Sequence, residues 1–326
     1  MAVIGIDISK QKFDCLWLRD VRSLKVKTKV FANRPTGFAE LIDWCCAQTG
    51  ETVEQLQVFL EATGVYHEPL ALYLHDRGVQ VFVLNPARVR EYARSLGIQG
   101  KTDKQDSLVL ARYGATQPVR LWTPERREVR ELKALIARHE ALQEDLQREH
   151  NRREKAEVSG SPAVLASIDN LIQALQQEAE RVRQDIDDHI DRHDDLKRDR
   201  ALLQSIDGIG EVLSRHLLSL LHSRDFSSAR QCTAFVGLVP RPWQSGKTMD
   251  APTRLSKAGP PRIRAKLYMG AVVAKGCNPD VKALYERLLA RGKPRMSALG
   301  AAMRKLLQIA YGVLKTQRPY QPRQAL

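Results

Sequence analysis

The chain has 326 residues, 43% of them hydrophobic, which gives room for roughly two or three domains with sizeable cores. No apolar run approaches the roughly 18 to 20 residues of a membrane span, and the N-terminus enters a strand without a basic-then-apolar leader, so a soluble cytoplasmic protein is expected. The net charge of +14 is lopsided: residues 201–326 carry 21 Lys+Arg against 6 Asp+Glu, whereas residues 121–200 carry 15 against 19, and so basic a last third points to a polyanionic partner.

In chain order, Ala2 to Ser9 is an apolar run interrupted by Asp7, the pattern of a buried central strand that delivers a carboxylate to the sheet edge. Lys12 to Leu18 and Leu24 to Phe31 alternate, completing an antiparallel meander, and Phe38 to Cys46 has helical spacing. Leu56 to Glu61 is a fourth strand that again ends on an acid. A helix over His67 to Asp76, stopped by Gly78, leads to a fifth strand at Val79 to Leu84. These elements predict a mixed five-stranded sheet with flanking helices. Arg88 to Leu96 then leads to Lys101-Thr102-Asp103-Lys104-Gln105-Asp106, and Ser107 to Tyr113 continues as helix. Asp103 and Asp106, three apart, share one face of that helix start.

From Pro124 to about Arg200 the strands vanish. Leu132, Leu135, Ile136, Leu142 and Leu146 form one helical seam, and Leu171, Ile172, Leu175, Val182, Ile186 and Ile190 a second, with Val158 to Pro162 between them. An antiparallel helical hairpin or coiled coil is expected, serving spacing and oligomerisation. His189 and His193 have metal-ligand spacing but no third ligand, and read as a solvated stripe. Domains are expected at 1–123, 124–200 and 201–326.

The last third opens on Ile206-Asp207-Gly208-Ile209-Gly210, a helix-hairpin-helix pattern whose Gly208 and Gly210 would let backbone amides approach phosphate. Arg241-Pro242-Trp243-Gln244-Ser245-Gly246-Lys247-Thr248 is dense in loop formers and carries cations and hydroxyls, as does the stretch from Arg254 through Ser256 and Lys257 to Gly259. Phosphoryl chemistry and plain phosphate binding both suit these segments. The five cysteines (Cys15, Cys45, Cys46, Cys232, Cys277) form no CxxC pair and have no zinc-type His spacing, so neither disulfide nor structural zinc is expected.

Asp7, Glu61, Asp103 and Asp106 converge if the fourth strand runs parallel to the first, and four carboxylates in one volume call for divalent cations, with hard oxygen ligands selecting Mg²⁺ or Mn²⁺. The competing reading is that each acid merely caps or ends its element.

Gly5-Ile6-Asp7-Ile8-Ser9-Lys10, Glu61-Ala62-Thr63-Gly64, Asn85-Pro86, Lys101 to Asp106, Ile206 to Gly210 and Ser256-Lys257-Ala258-Gly259 stand in the order seen in DEDD transposases of the insertion sequence 110 family, which the chain resembles along its length. The resemblance implies a ribonuclease-H-like, RuvC-like domain, a coiled-coil insertion and a mainly α-helical C-terminal transposase domain. It implies that Asp7, Glu61, Asp103 and Asp106 hold the metal and that a C-terminal serine, by motif position Ser245 with Ser256 as fallback, is the nucleophile. It further implies donor and target DNA and a structured noncoding guide RNA as partners. The protein is then a homo-oligomer, dimer or tetramer, of the bacterial cytoplasm, at the nucleoid when acting. Subunits held by the coiled coil would share the active site. Lys10, Lys101, Lys104, Arg241, Lys247, Arg254 and Lys257 are the expected backbone contacts. Two rivals stay open: a metal-dependent nuclease or junction resolvase that uses water, and a non-catalytic nucleic-acid scaffold.

Overall fold

The computed structural model describes residues 1–322 except 63, 99, 101 and 246–248, and gives the main chain without the side chains at 104, 242–245 and 249–253. It divides into two compact units, Met1–Pro124 and Glu125–Leu326.

In the first unit, β1 (Ala2–Ile8), β2 (Lys12–Asp20) and β3 (Lys25–Ala32) form the expected meander. Then follow α1 (Pro35–Thr49), β4 (Leu56–Glu61), α2 (Glu68–His75), β5 (Gln80–Leu84), α3 (Pro86–Ser95) and α4 (Asp103–Thr116). The sheet order is β3-β2-β1-β4-β5, with β1 antiparallel to β2 and parallel to β4, so the mixed five-stranded sheet is the one the sequence predicts. β1 takes the centre because both of its faces are apolar: Ile4 and Ile6 are fully buried under α1 and α2, together with Val58, Leu60, Leu41 and Leu70. The opposite face carries Leu16, Leu18, Phe59 and Phe82 and is covered by Val109, Leu110 and Ala111 of α4 and Val89 of α3. β3, at the edge, exposes Lys25, Lys27 and Lys29, charges that discourage pairing with another strand. Pro35 opens α1 and Gly50 ends it in the left-handed region (φ 71°), so this helix outruns the apolar spacing from which it was read. α2 begins at Glu68, because residues 64–67 form a turn.

The second unit begins with two long helices, α5 (Arg127–Ser159) and α6 (Pro162–Asp191), which pack on each other as a hairpin across Gly160 and Ser161. After them come α7 (Asp194–Gln204), α8 (Glu211–His222), α9 (Ala229–Phe235), β6 (Pro240–Ser245), β7 (Met249–Leu255), α10 (Pro261–Cys277), α11 (Pro279–Ala290) and α12 (Arg295–Thr316). Leu132, Ile136, Ile186 and Ile190 of the hairpin share one apolar cluster with Leu203, Leu217, Leu267 and Leu306. The hairpin and the basic helices therefore form one unit, where the sequence divides residues 124–326 at 200. A buried charge network ties them as well: Arg215 of α8, 8% exposed at its side chain, donates to both carboxylate oxygens of Asp187 on α6 at 2.8 and 2.7 Å, and Arg200 reaches the same carboxylate at 3.3 Å. His189 and His193 each use a ring nitrogen on a main-chain oxygen, of Glu128 at 2.8 Å and of His189 at 2.7 Å, so their spacing serves helix packing.

The antiparallel ribbon β6–β7 is the element that the sequence does not announce, since Pro240, Pro242, Gly246 and Pro252 read as loop formers. Its root is an interlock of two main-chain segments. A Cβ at Gly237 would lie 2.2 Å from Ala258 O, and one at Gly259 would lie 1.9 Å from Phe235 O; both glycines have positive φ. Ser256 N donates to Val239 O at 2.9 Å, Lys257 N to Gly237 O at 3.1 Å, and Arg264 Nη1 reaches Val236 O at 3.1 Å and Gly259 O at 2.9 Å. The described cysteines are all free, and among the described residues no helix is long and apolar enough to cross a membrane.

Candidate active site

The acid-bearing end of the first unit is built around a missing side chain. A Cβ at Gly5 would stand 2.0 Å from Ser107 O and 2.8 Å from Ala111 N, so α4 lies directly on the backbone of β1. Ser107 Oγ, buried at this crossing, lies 2.9 Å from the main-chain oxygens of Asp14 and Asp103 and fastens the start of α4 to β2. Thr102 caps the helix, its hydroxyl accepting from Gln105 N at 3.3 Å, which places Asp103 and Asp106 in the first turn, where the helix dipole favours carboxylates.

The strands bring two more acids to the same end. Ile6 is in register with Leu60 on the parallel pair β1–β4, so the next residues, Asp7 and Glu61, stand abreast on the face that α4 covers. Asp7, Glu61 and Asp106 are half-buried, and the side chain of Asp103 is 58% exposed. Topology thus gathers the four predicted acids at one end of one sheet face. Among the described residues no group of three or more His, Cys, Asp or Glu is closed around a metal position.

Two residues of the site were not read from the sequence. Asp14 is the cross-strand partner of Asp7 and so adds a fifth carboxylate to this face. Lys12 Nζ donates to Asp14 Oδ2 at 3.1 Å and to Asp103 Oδ2 at 3.0 Å, and these bonds, that to Asp103 first, hold the ammonium above its ordinary pKa. The signal was present in the alternation of β2, where Lys12, Asp14, Leu16 and Leu18 share a face. Lys12 is also a cation drawn between carboxylates, so the donor set suits a hard divalent ion.

The other expected residues are dispersed. Lys10 is exposed in the turn after β1; Lys101 and the side chain of Lys104 lie outside the described residues. In the second unit, Ser245 is the last residue of β6, paired with Met249; its side chain and all of Lys247 lie outside the description. Arg241 and Arg254 face one another in the ribbon's register, and both are exposed. Lys257 is exposed with φ 52°, and Ser256 is half-buried at the ribbon root, where its main chain is spent on Val239. At Gly208 a Cβ would lie 2.5 Å from Ala274 Cβ and 3.0 Å from Gly270 O, so its missing side chain makes room for α10. Gly210 is the N-cap of α8, with open space where its Cβ would be.

Near α8 the second unit holds a cavity of about 890 Å³ whose lining includes His139, Glu140, Arg183, Arg215, His216 and Lys266. Burial pushes the His216 imidazole down to about 4, against the pull of Glu140 at 3.5 Å.

The chain resembles known proteins along its length. Residues 4–156 match the DEDD model of the IS110 type, described as a transposase, and residues 200–286 match the transposase IS116/IS110/IS902 family. The chain is similar to the pilin gene-inverting proteins of Moraxella lacunata and Moraxella bovis, each 33% identical over 322 residues, 98% of this chain and 98% of the relative. An insertion element IS900 protein of 42 kDa from Mycobacterium paratuberculosis is 25% identical over 164 residues, 49% of this chain and 39% of that protein. The chain belongs to the IS116/IS110/IS902 transposase family and is a DNA transposase or recombinase.

Proposed function

We propose that this transposase cleaves and rejoins DNA strands through a serine-linked intermediate, with Asp7, Glu61, Asp103 and Asp106 holding divalent cations, Mg²⁺ or Mn²⁺, in a ribonuclease-H-like domain. The observation that carries the reading is the register of β1 and β4, which sets Asp7 beside Glu61 under the acid-bearing start of α4. Such a cation, when bound, neutralises and polarises the scissile phosphate. Asp7 and Glu61 fix its place from strands, and Asp103 and Asp106 close on it from the helix.

Ser245 is the nucleophile. Its Oγ attacks phosphorus, the hydroxyl proton passes to a base, the bond to the 3′ oxygen breaks, and that oxygen leaves protonated as a 3′-hydroxyl. The phosphoserine ester keeps the bond energy, so a 3′-hydroxyl of another strand can displace Ser245 without ATP. Ser256 is the weaker candidate, held at the ribbon root. The Moraxella relatives, named for inverting a gene, support strand exchange at paired sites as the outcome. Donor and target DNA, a structured noncoding guide RNA and a homo-oligomer joined through α5 and α6 as a coiled coil are the partners of this reading. Lys10, Lys101, Lys104, Gly210, Arg241, Lys247, Arg254 and Lys257 contact nucleic-acid backbone, from a chain whose excess charge lies in residues 201–326.

The test is a denaturation-resistant protein–DNA adduct formed on element-end DNA. The adduct is expected with wild type, absent with Ser245→Ala, and absent with Asp7→Asn or Asp106→Asn. Cleavage that persists in Ser245→Ala without any adduct would establish water as the nucleophile and a resolvase-type nuclease instead.

A further inference from the structure

The acids of the first unit already hold a cation, and it belongs to the chain. Lys12 opens β2, and its Nζ spans Asp14 Oδ2 at 3.1 Å and Asp103 Oδ2 at 3.0 Å, joining a strand to the first turn of α4. The two carboxylates differ in standing. Asp103 is one of the four acids assigned above to the divalent ion, whereas Asp14 lies next to Asp7 across the β1–β2 ladder and has no such assignment. An oxygen of Asp103 that accepts from an ammonium is not free to bind a second cation at full strength. The three side chains are 47%, 21% and 58% exposed for Lys12, Asp14 and Asp103. A pair so solvated adds little to folding stability. What it can change is the charge that the two carboxylates present to another cation.

We propose that Lys12 is a built-in competitor for the divalent-ion site: it neutralises Asp103 in the ion-free protein and is displaced from it when the ion enters, while Asp14 keeps the displaced ammonium beside the site. This inference rests on the reading that Asp7, Glu61, Asp103 and Asp106 bind a divalent ion. Entry of the ion is then an exchange of one cation for another at Asp103, so that carboxylate is never left without a neutralising partner. The released ammonium stays within one side chain's reach of the ion, where an anionic substrate group must come. Lys12 is a positioning residue in this scheme, and Asp14 acts only through it.

Mn²⁺ alone is the probe. Its binding to the full-length chain is titrated by calorimetry, and by loss of the free-ion electron paramagnetic resonance signal, in low-salt buffer. Lys12→Gln is expected to tighten Mn²⁺ about two- to five-fold, the range set by an exposed ion pair, and Lys12→Arg to behave as wild type. Lys10→Gln removes the same charge from an exposed position two residues away and is expected to change affinity by less than half as much. Asp14→Asn is expected to weaken Mn²⁺ in the wild-type background, since Lys12 then has only Asp103, and to change it by less than about two-fold in Lys12→Gln.

Equal tightening by Lys10→Gln and Lys12→Gln would overturn the proposal in favour of a general field effect. Equal weakening by Asp14→Asn in both backgrounds would overturn it in favour of Asp14 as a direct ligand. If wild type and Asp103→Asn both fail to take up Mn²⁺, the four-acid reading itself falls. If wild type binds Mn²⁺ and Lys12→Gln matches it, only the role of Lys12 is lost.

Discussion

Replacing Gly5 by Ala adds one carbon where the structure has no room. The new Cβ would stand 2.0 Å from Ser107 O and 2.8 Å from Ala111 N, both main-chain atoms of α4 that cannot rotate away. An ordinary contact needs roughly 3.4 Å, so the helix must retreat by about 1.4 Å or β1 must bow, and overpacking of this kind costs about 1–3 kcal/mol. The retreat draws Asp103 and Asp106 away from Asp7 and Glu61, and it also pulls Ser107 from Asp14, whose main-chain oxygen it now holds at 2.9 Å. A displacement of about 1 Å at a reacting centre lowers rates by about 10²-fold. Urea unfolding followed by circular dichroism measures the first effect, and single-turnover cleavage of labelled element-end DNA the second. The rate should fall far more than the stability loss can explain, because the variant remains folded at assay temperature. A Gly5→Ala protein that cleaves within three-fold of wild type would refute the claim that this crossing sets the site.

Arg215→Ala should destabilise the second unit by about 2–3 kcal/mol in urea titrations, since it strips Asp187 of its bidentate partner in a buried setting while Arg200 remains on the same carboxylate. Gly237→Ala should cost about 2 kcal/mol or more and open residues 240–255 to limited proteolysis, because a Cβ there meets Ala258 O at 2.2 Å with φ at 77°. His216 should make the second unit acid-sensitive. Its folded pKa of about 4 lies below the ordinary histidine value, so the unfolded chain binds the proton first, and the stability present above about pH 6.5 is lost as pH falls toward 4. Between pH 7 and 4 the wild type should lose about 3 kcal/mol more than His216→Gln in urea midpoints converted to free energy.

The parts of the fold legible in the sequence are those where local pattern and final environment agree. Ala2 to Ile8 and Leu56 to Glu61 are apolar runs with an acid at or next to the last position, and their burial at the sheet centre required no information from elsewhere. Asp103 and Asp106 were legible through their three-residue spacing at a capped helix start. Asp14 and Lys12 were legible only in part: the alternation of β2 puts them on one face with Leu16 and Leu18, but only the register with Asp7 shows that this face carries the acids. The packing of Gly208 against α10 was not legible for a related reason, since a Gly-x-Gly turn has one appearance whatever comes close to it. The ribbon β6–β7 escaped notice because its prolines lower strand propensity, while its pairing is imposed at the root by Gly237, Gly259 and Arg264, which lie outside the strands.

That root gives the ribbon the properties of a lever arm. Five residue steps at about 3.3 Å each put Ser245 roughly 17 Å from Pro240. A tilt of only about 3° at the interlock would sweep the far end by about 1 Å, the scale on which reaction rates fall steeply. The position of the serine proposed above as nucleophile would therefore depend on two glycines and one arginine at the fulcrum, and changes there would shift it while leaving every residue of the arm in place.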